Sequence, residues 1–174
     1  MYESVRRRLR LRTTLPVVCV AGLALAISLS GCAVGGERCT LNGTASFNPG
    51  LNLTKRAISY SFTGNLSGCT STLGDSTIRS GTVTASGSGA KVGCAGGGTN
   101  GTATVSWNNG QTSTVSFVTS GALNAVLVTG TITAGEFAGH TLHAVLAFTV
   151  ANPSACNTPT GVTTATFTGE TTPQ

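Results

Sequence analysis

The chain is short of nearly every group that performs covalent chemistry. Asp and Glu together number five in 174 residues, and histidine two. Past Cys32 the acids are Glu37, Asp75, Glu136 and Glu170, scattered over loop-like or terminal stretches, so no carboxylate pair is set up for glycoside chemistry. A nucleophilic triad needs a histidine beside a serine or cysteine and an orienting acid, and only His140 and His143 exist to serve. No serine sits in Gly-x-Ser-x-Gly, and no helical periodicity is present to receive such a turn. Gly96-Gly97-Gly98 lacks the lysine and following helix of a phosphate loop. Positive charge is also scarcer than the formal +5 suggests, because Arg6, Arg7, Arg8, Arg10 and Arg12 all precede the first apolar run. From Cys32 onward five basic residues face four acids, a balance of +1, which leaves no basic stripe for nucleic acid.

What is present begins with an address. The arginines of 6–12 form a charged n-region, and Leu15 to Leu29 an apolar h-region that encloses Cys19. Leu29-Ser30-Gly31-Cys32 then has the pattern of a lipobox, in which the cysteine is lipidated and becomes the first residue of the mature chain. The competing readings are an ordinary signal cleaved near Ala33 and an uncleaved anchor. Residues 1–31 are thus read as an export signal, 32–38 as a tether, 39–169 as the domain and 170–174 as a free tail. With lipid on Cys32, seven extended steps to Cys39 reach at most about 25 Å, which keeps the domain close to the membrane. The Asn-x-Ser/Thr matches at Asn42, Asn52, Asn65 and Asn100 are expected by chance in a chain this rich in Thr and Ser.

The domain is patterned with period two throughout. In Gly101 to Thr119, Ala103, Val105 and Trp107 alternate with polar residues, as do Val115 and Phe117. A two-residue turn at Asn109-Gly110 would put the two apolar rows on opposite faces. A three-residue turn, Asn108-Asn109-Gly110, sets Trp107 opposite Gln111 and Ala103 opposite Val115, so burial selects it. Cys39 to Phe47 and Ala57 to Cys69 pair with Phe47 opposite Tyr60 and Leu41 opposite Leu66, and Asn48-Pro49-Gly50 breaks the first strand. Thr77 to Cys94 carries Gly87 and Gly89 in its middle. Leu123 to Ala134 and Thr141 to Val150 pair with Ile132 opposite Leu142. Their second face also carries Leu127, Val145 and Ala147, so this pair is expected to be the most buried. Val162 to Gly169 closes the series. The class is all-β: an antiparallel up-and-down barrel of about eight strands, or a barrel-like sandwich.

Cys39, Cys69, Cys94 and Cys156 allow three pairings. If Thr77 to Cys94 is one strand bent at its glycines, eight strands put Cys39 and Cys69 at one end and Cys94 and Cys156 at the other. If Ser86 to Gly89 is instead a turn, nine strands gather all four at one end, and Cys69–Cys94 with Cys39–Cys156 becomes possible. The thin apolar patterning around Ser86 to Gly89 favours the eight-strand case, with Cys39–Cys69 and Cys94–Cys156.

The runs Gly101 to Trp107, Gly110 with Ser113 to Phe117, Gly130-Thr131-Ile132 and Gly135-Glu136-Phe137-Ala138-Gly139 resemble a group of small secreted proteins and lipoproteins of actinobacteria. The resemblance covers most of 39–169 and implies a fold and an export route, with no catalytic residues. The Gly135 to Gly139 turn is also similar to that of dirigent-type barrels, a likeness of fold alone. Two candidate sites remain. Glu136, His140 and His143 contain metal-ligating types, but residues three apart on a strand face opposite ways, so no metal or cofactor is expected. Trp107 could stack on a ligand ring, although its shared face with Val105, Val115 and Phe117 reads first as core. The function expected is that of a non-catalytic, exported cell-surface lipoprotein with a structural or interaction role, its partner the membrane through lipid on Cys32. A barrel that binds a small ligand is the alternative, and a small hydrolase or isomerase a distant third. An empty, apolar-lined interior would distinguish the ligand binder from a filled, structural barrel.

Overall fold

The computed structural model describes residues 38–71 and 75–174; the stretches read as export signal and tether, with Cys32, lie outside the described residues. Eight antiparallel strands, joined in sequence order, close into a barrel. They are β1 (Arg38–Leu51), β2 (Arg56–Thr70), β3 (Gly81–Val92) and β4 (Thr99–Trp107). The series continues with β5 (Thr112–Ala122), β6 (Ala125–Gly135), β7 (Thr141–Thr149) and β8 (Val162–Pro173). A 3-10 turn, Pro153–Asn157, lies between β7 and β8. Cys39–Cys69 and Cys94–Cys156 are the disulfides. The first marks the lower end, where β2–β3, β4–β5 and β6–β7 connect. The second marks the upper end. Alternation accounts for both: β3 runs unbroken through Gly87 and Gly89, so the strand count is even and each cysteine pair shares an end.

The registers follow burial. Leu41 faces Leu66 and Phe47 faces Tyr60, while Ala103 faces Val115. Trp107 N–H donates to the Gln111 carbonyl at 2.9 Å, closing the three-residue turn in which Gly110 takes φ +82°. The β6–β7 register differs from the expectation by two residues: Gly130, not Ile132, faces Leu142, and Val128 faces Ala144. Burial constrains the parity of a register but not a slip of two, since both settings put the same rows inside. The tighter connection decides it, with Ile132 N–H bonded to the His140 carbonyl and Phe137 taking φ +62°.

Three further expectations are corrected. The outer face of β6–β7 is not buried: Leu127 is 46% and Val145 62% exposed, because no second layer among the described residues covers the barrel there. β1 continues past Asn48-Pro49-Gly50 to Leu51, which pairs with Val162 after an irregularity in register. Residues 170–174 are not a free tail. Glu170 to Pro173 extend β8, with Pro173 opposite Leu142, and Thr141 and Gln174 exchange backbone bonds at 3.0 and 2.8 Å. These residues lack an apolar pattern, and what holds them is the ladder that closure requires on both sides of the last strand.

Candidate functional site: an apolar cavity in the upper barrel

The lower half of the barrel is the more closely packed: its inward row is buried, although Leu41, Val105 and Ile132 also line the cavity. Ile78, fully buried, plugs the end, and Asn108 holds its segment by accepting from Arg79 N–H and Ser80 N–H at 2.7 and 3.0 Å. Trp107 packs edge-on against Phe137 at 5.6 Å between ring centres. Its Nε1–H donates to Ser113 Oγ at 2.8 Å, and Ser113 donates in turn to the Glu136 carbonyl at 2.6 Å. The burial of Trp107 and the commitment of its only polar atom make it a core residue at the cavity floor; it offers a ligand only its ring. Ser113→Ala would leave both the Trp107 donor and the Glu136 carbonyl without this partner in a dry interior. A loss of about 1–3 kcal/mol is expected in urea denaturation; no measurable loss would mean that water replaces the hydroxyl.

The upper half is different. Its inward row, including Phe47, Tyr60, Phe62, Val126 and Phe148, is only half-buried, and an apolar-lined cavity of about 150 Å3 runs among these side chains. The registers explain the open space. Tyr60, Gly87, Gly101 and Phe117 lie opposite one another across four successive strands, and Phe167, Gly43 and Gly64 across three. Each aromatic ring lies over a glycine wall and so does not cross the barrel axis. A Cβ on Gly101 would stand 2.7 Å from Tyr60 Oη, and one on Gly43 would stand 2.5 Å from Phe167 Cζ. Laid along the wall in this way, Tyr60 reaches two strands over to donate to the Asn100 carbonyl at 3.2 Å.

That hydroxyl also accepts from Thr99 Oγ1 at 3.2 Å, and Thr99 Oγ1 lies 2.7 Å from Thr119 Oγ1. Tyr60, Thr99 and Thr119 all line the cavity. Burial pushes the Tyr60 phenol above its ordinary value near 10, and the Thr99 bond acts against that shift. The sign follows from linkage. A raised folded pKa gives a contribution to stability that is complete below about pH 10 and is lost as pH rises through the folded value. An alkaline denaturation series should therefore show stability falling above about pH 10, with that part of the fall absent in Tyr60→Phe. Equal slopes in the two proteins would contradict the assignment.

Glu136, His140 and His143 do not converge: among the described residues no three His, Cys, Asp or Glu side chains stand together as a metal site. His143 lies exposed on the outer face of β7, and His140 at the β6–β7 turn. The hydroxyl chain was missed in the sequence because each member is a common residue in a polar-rich strand. Its legible sign was a tyrosine in an inward row aligned with two glycines. No protein-family model, no curated protein and no solved structure matches the chain.

Proposed function

We propose that the chain is an exported barrel that binds one small apolar molecule in its upper half, and that lipid on Cys32 holds it at the outer face of the membrane. The observation that carries the binding reading is the unfilled cavity of about 150 Å3, lined almost wholly by apolar side chains. Engineered apolar cavities near this size stay dry and admit benzene-sized guests. Eight-stranded barrels are at the limit where side chains either fill the interior or leave room for one small ligand. Binding without catalysis fits the wall: its polar side chains are hydroxyls and the Trp107 indole, and no acid or imidazole is among the lining residues. The two disulfides are compatible with an extracytoplasmic setting.

Toluene tests the reading. It should raise the midpoint of thermal unfolding of the exported protein, by an amount that keeps growing with the logarithm of toluene concentration above its Kd. Val126→Phe, which adds bulk to a lining position of the upper half, should abolish the rise. A toluene response that survives this filling would put the binding elsewhere. The anchor is tested separately, by intact mass of membrane-extracted protein: acyl mass is expected on Cys32, and Cys32→Ala should release the domain from the membrane.

An interaction role has its own support. Leu127 and Val145 face each other across β6 and β7 on the outside of the barrel, with exposed Val118 diagonally beside Leu127 on β5. Three side chains make a small patch, and scattered exposed apolar residues are ordinary on soluble domains. The cavity has the stronger claim.

A further inference from the structure

The hydroxyls at the cavity have a direction, and it selects the ligand. The Asn100 carbonyl can only accept, so the Tyr60 hydroxyl must donate to it. Thr99 then spends its single proton on Tyr60 Oη. Thr119, 2.7 Å from Thr99 Oγ1, is left to donate to Thr99. The chain therefore runs Thr119 to Thr99 to Tyr60 to the Asn100 carbonyl, with every proton committed. What remains on the cavity side is the lone-pair face of Thr119 Oγ1, a residue of the lining. Other hydroxyls of the wall lie lower: Ser113 is enclosed by Trp107 and Glu136, and Thr171 donates to the Cys39 carbonyl at 3.5 Å.

We propose that the ligand is a small apolar body bearing one hydrogen-bond donor, such as a hydroxyl, which it gives to Thr119 Oγ1. This rests on the cavity being the binding site. A ligand of the same shape with an acceptor in that place would find no proton free. Tyr60 acts as a positioning residue: by anchoring the far end of the chain to a carbonyl it keeps the Thr119 lone pairs turned to the ligand. Such chains gain from mutual polarisation, so the polarity set at one end is felt at the other.

The experiment compares dissociation constants of phenol, toluene and benzaldehyde by NMR titration of the exported, disulfide-bonded protein. The three probes are of similar size, and offer a donor, nothing and an acceptor. Thr119→Val keeps the shape and removes the oxygen. It should weaken phenol roughly fivefold relative to toluene, the worth of one ordinary hydrogen bond. Tyr60→Phe frees the Thr99 proton and allows the chain to turn round, so phenol should lose its advantage and benzaldehyde should gain by a similar factor. A purely structural role for Tyr60 would move all three probes together. The inference is overturned if toluene binds and the phenol-to-toluene ratio is the same in the parent and in Thr119→Val. It is equally overturned if the ratio changes in Thr171→Val instead. If none of the three probes binds the parent, the cavity reading fails along with it.

Discussion

Reduction of both disulfides is expected to unfold the barrel without added denaturant. Cys39–Cys69 closes 30 residues of sequence and Cys94–Cys156 closes 62. In the chain-entropy model these restrict the unfolded state by about 3.5 and about 4 kcal/mol. The two loops share no residue, so the terms act independently and together approach 7 to 8 kcal/mol by the same model. A domain of this size has about 5–15 kcal/mol in all, and its interior is partly empty, which places it toward the lower part of that range. The expected result on adding dithiothreitol is loss of the strand signal in far-ultraviolet circular dichroism. Emission from Trp107, the only tryptophan in the chain, should shift to the red as its pocket opens. A reduced protein with an unchanged urea midpoint would mean that the ladders alone hold the barrel closed.

The second large effect is expected at Phe167. Its side chain is 1% exposed, its ring centre lies 5.4 Å from those of both Phe62 and Phe148, and it covers the wall at Gly43. Phe167→Ala removes that cover and leaves a void that the β1–β8 ladder cannot close, at a cost of about 3–5 kcal/mol. Urea unfolding should show the midpoint falling with little change in slope, as for a loss of packing without loss of cooperativity. Phe47→Ala provides the contrast. Phe47 is half-buried among the residues of the upper cavity, so its removal should cost less stability and affect toluene binding more. Equal stability losses at the two positions would mean that the upper rings are as much a part of the core as Phe167. That would undercut the division of the barrel into a closely packed half and an open one.

The fold was legible because period-two patterning and four cysteines constrain it from independent directions. Parity together with the turn at Asn108-Asn109-Gly110 placed Ala103 opposite Val115, alignment of the two apolar rows placed Phe47 opposite Tyr60, and the even strand count put each cysteine at the same end as its partner. Where the reading departed from the structure, the governing interactions leave no apolar trace. The slip of two between β6 and β7 is decided by a turn that holds Phe137 at a positive φ. The last residues of β8 are held by backbone bonds to Thr141 and by polar side chains, with Glu170 on Arg38 and Thr171 on the Cys39 carbonyl, none of which shows as an apolar pattern. Leu127 and Val145 suggested burial, but alternation reports only that a face is apolar, not that anything covers it. The cavity was the least legible feature. In the sequence Gly87 reads as a bend, and Gly43 and Gly101 carry no signal of their own, whereas in the barrel all three are the wall against which Phe167 and Tyr60 lie.

The most direct measurement is a crystal structure of the disulfide-bonded domain under xenon pressure. Xenon responds to an empty apolar space of atomic size and makes no demand on polar groups. Ordered xenon is expected inside the upper barrel, among Phe47, Tyr60, Val126 and Phe148, with the rings in the positions described. A barrel whose axis is filled by those same rings, with no xenon between them, would contradict the claim that this protein encloses a ligand site.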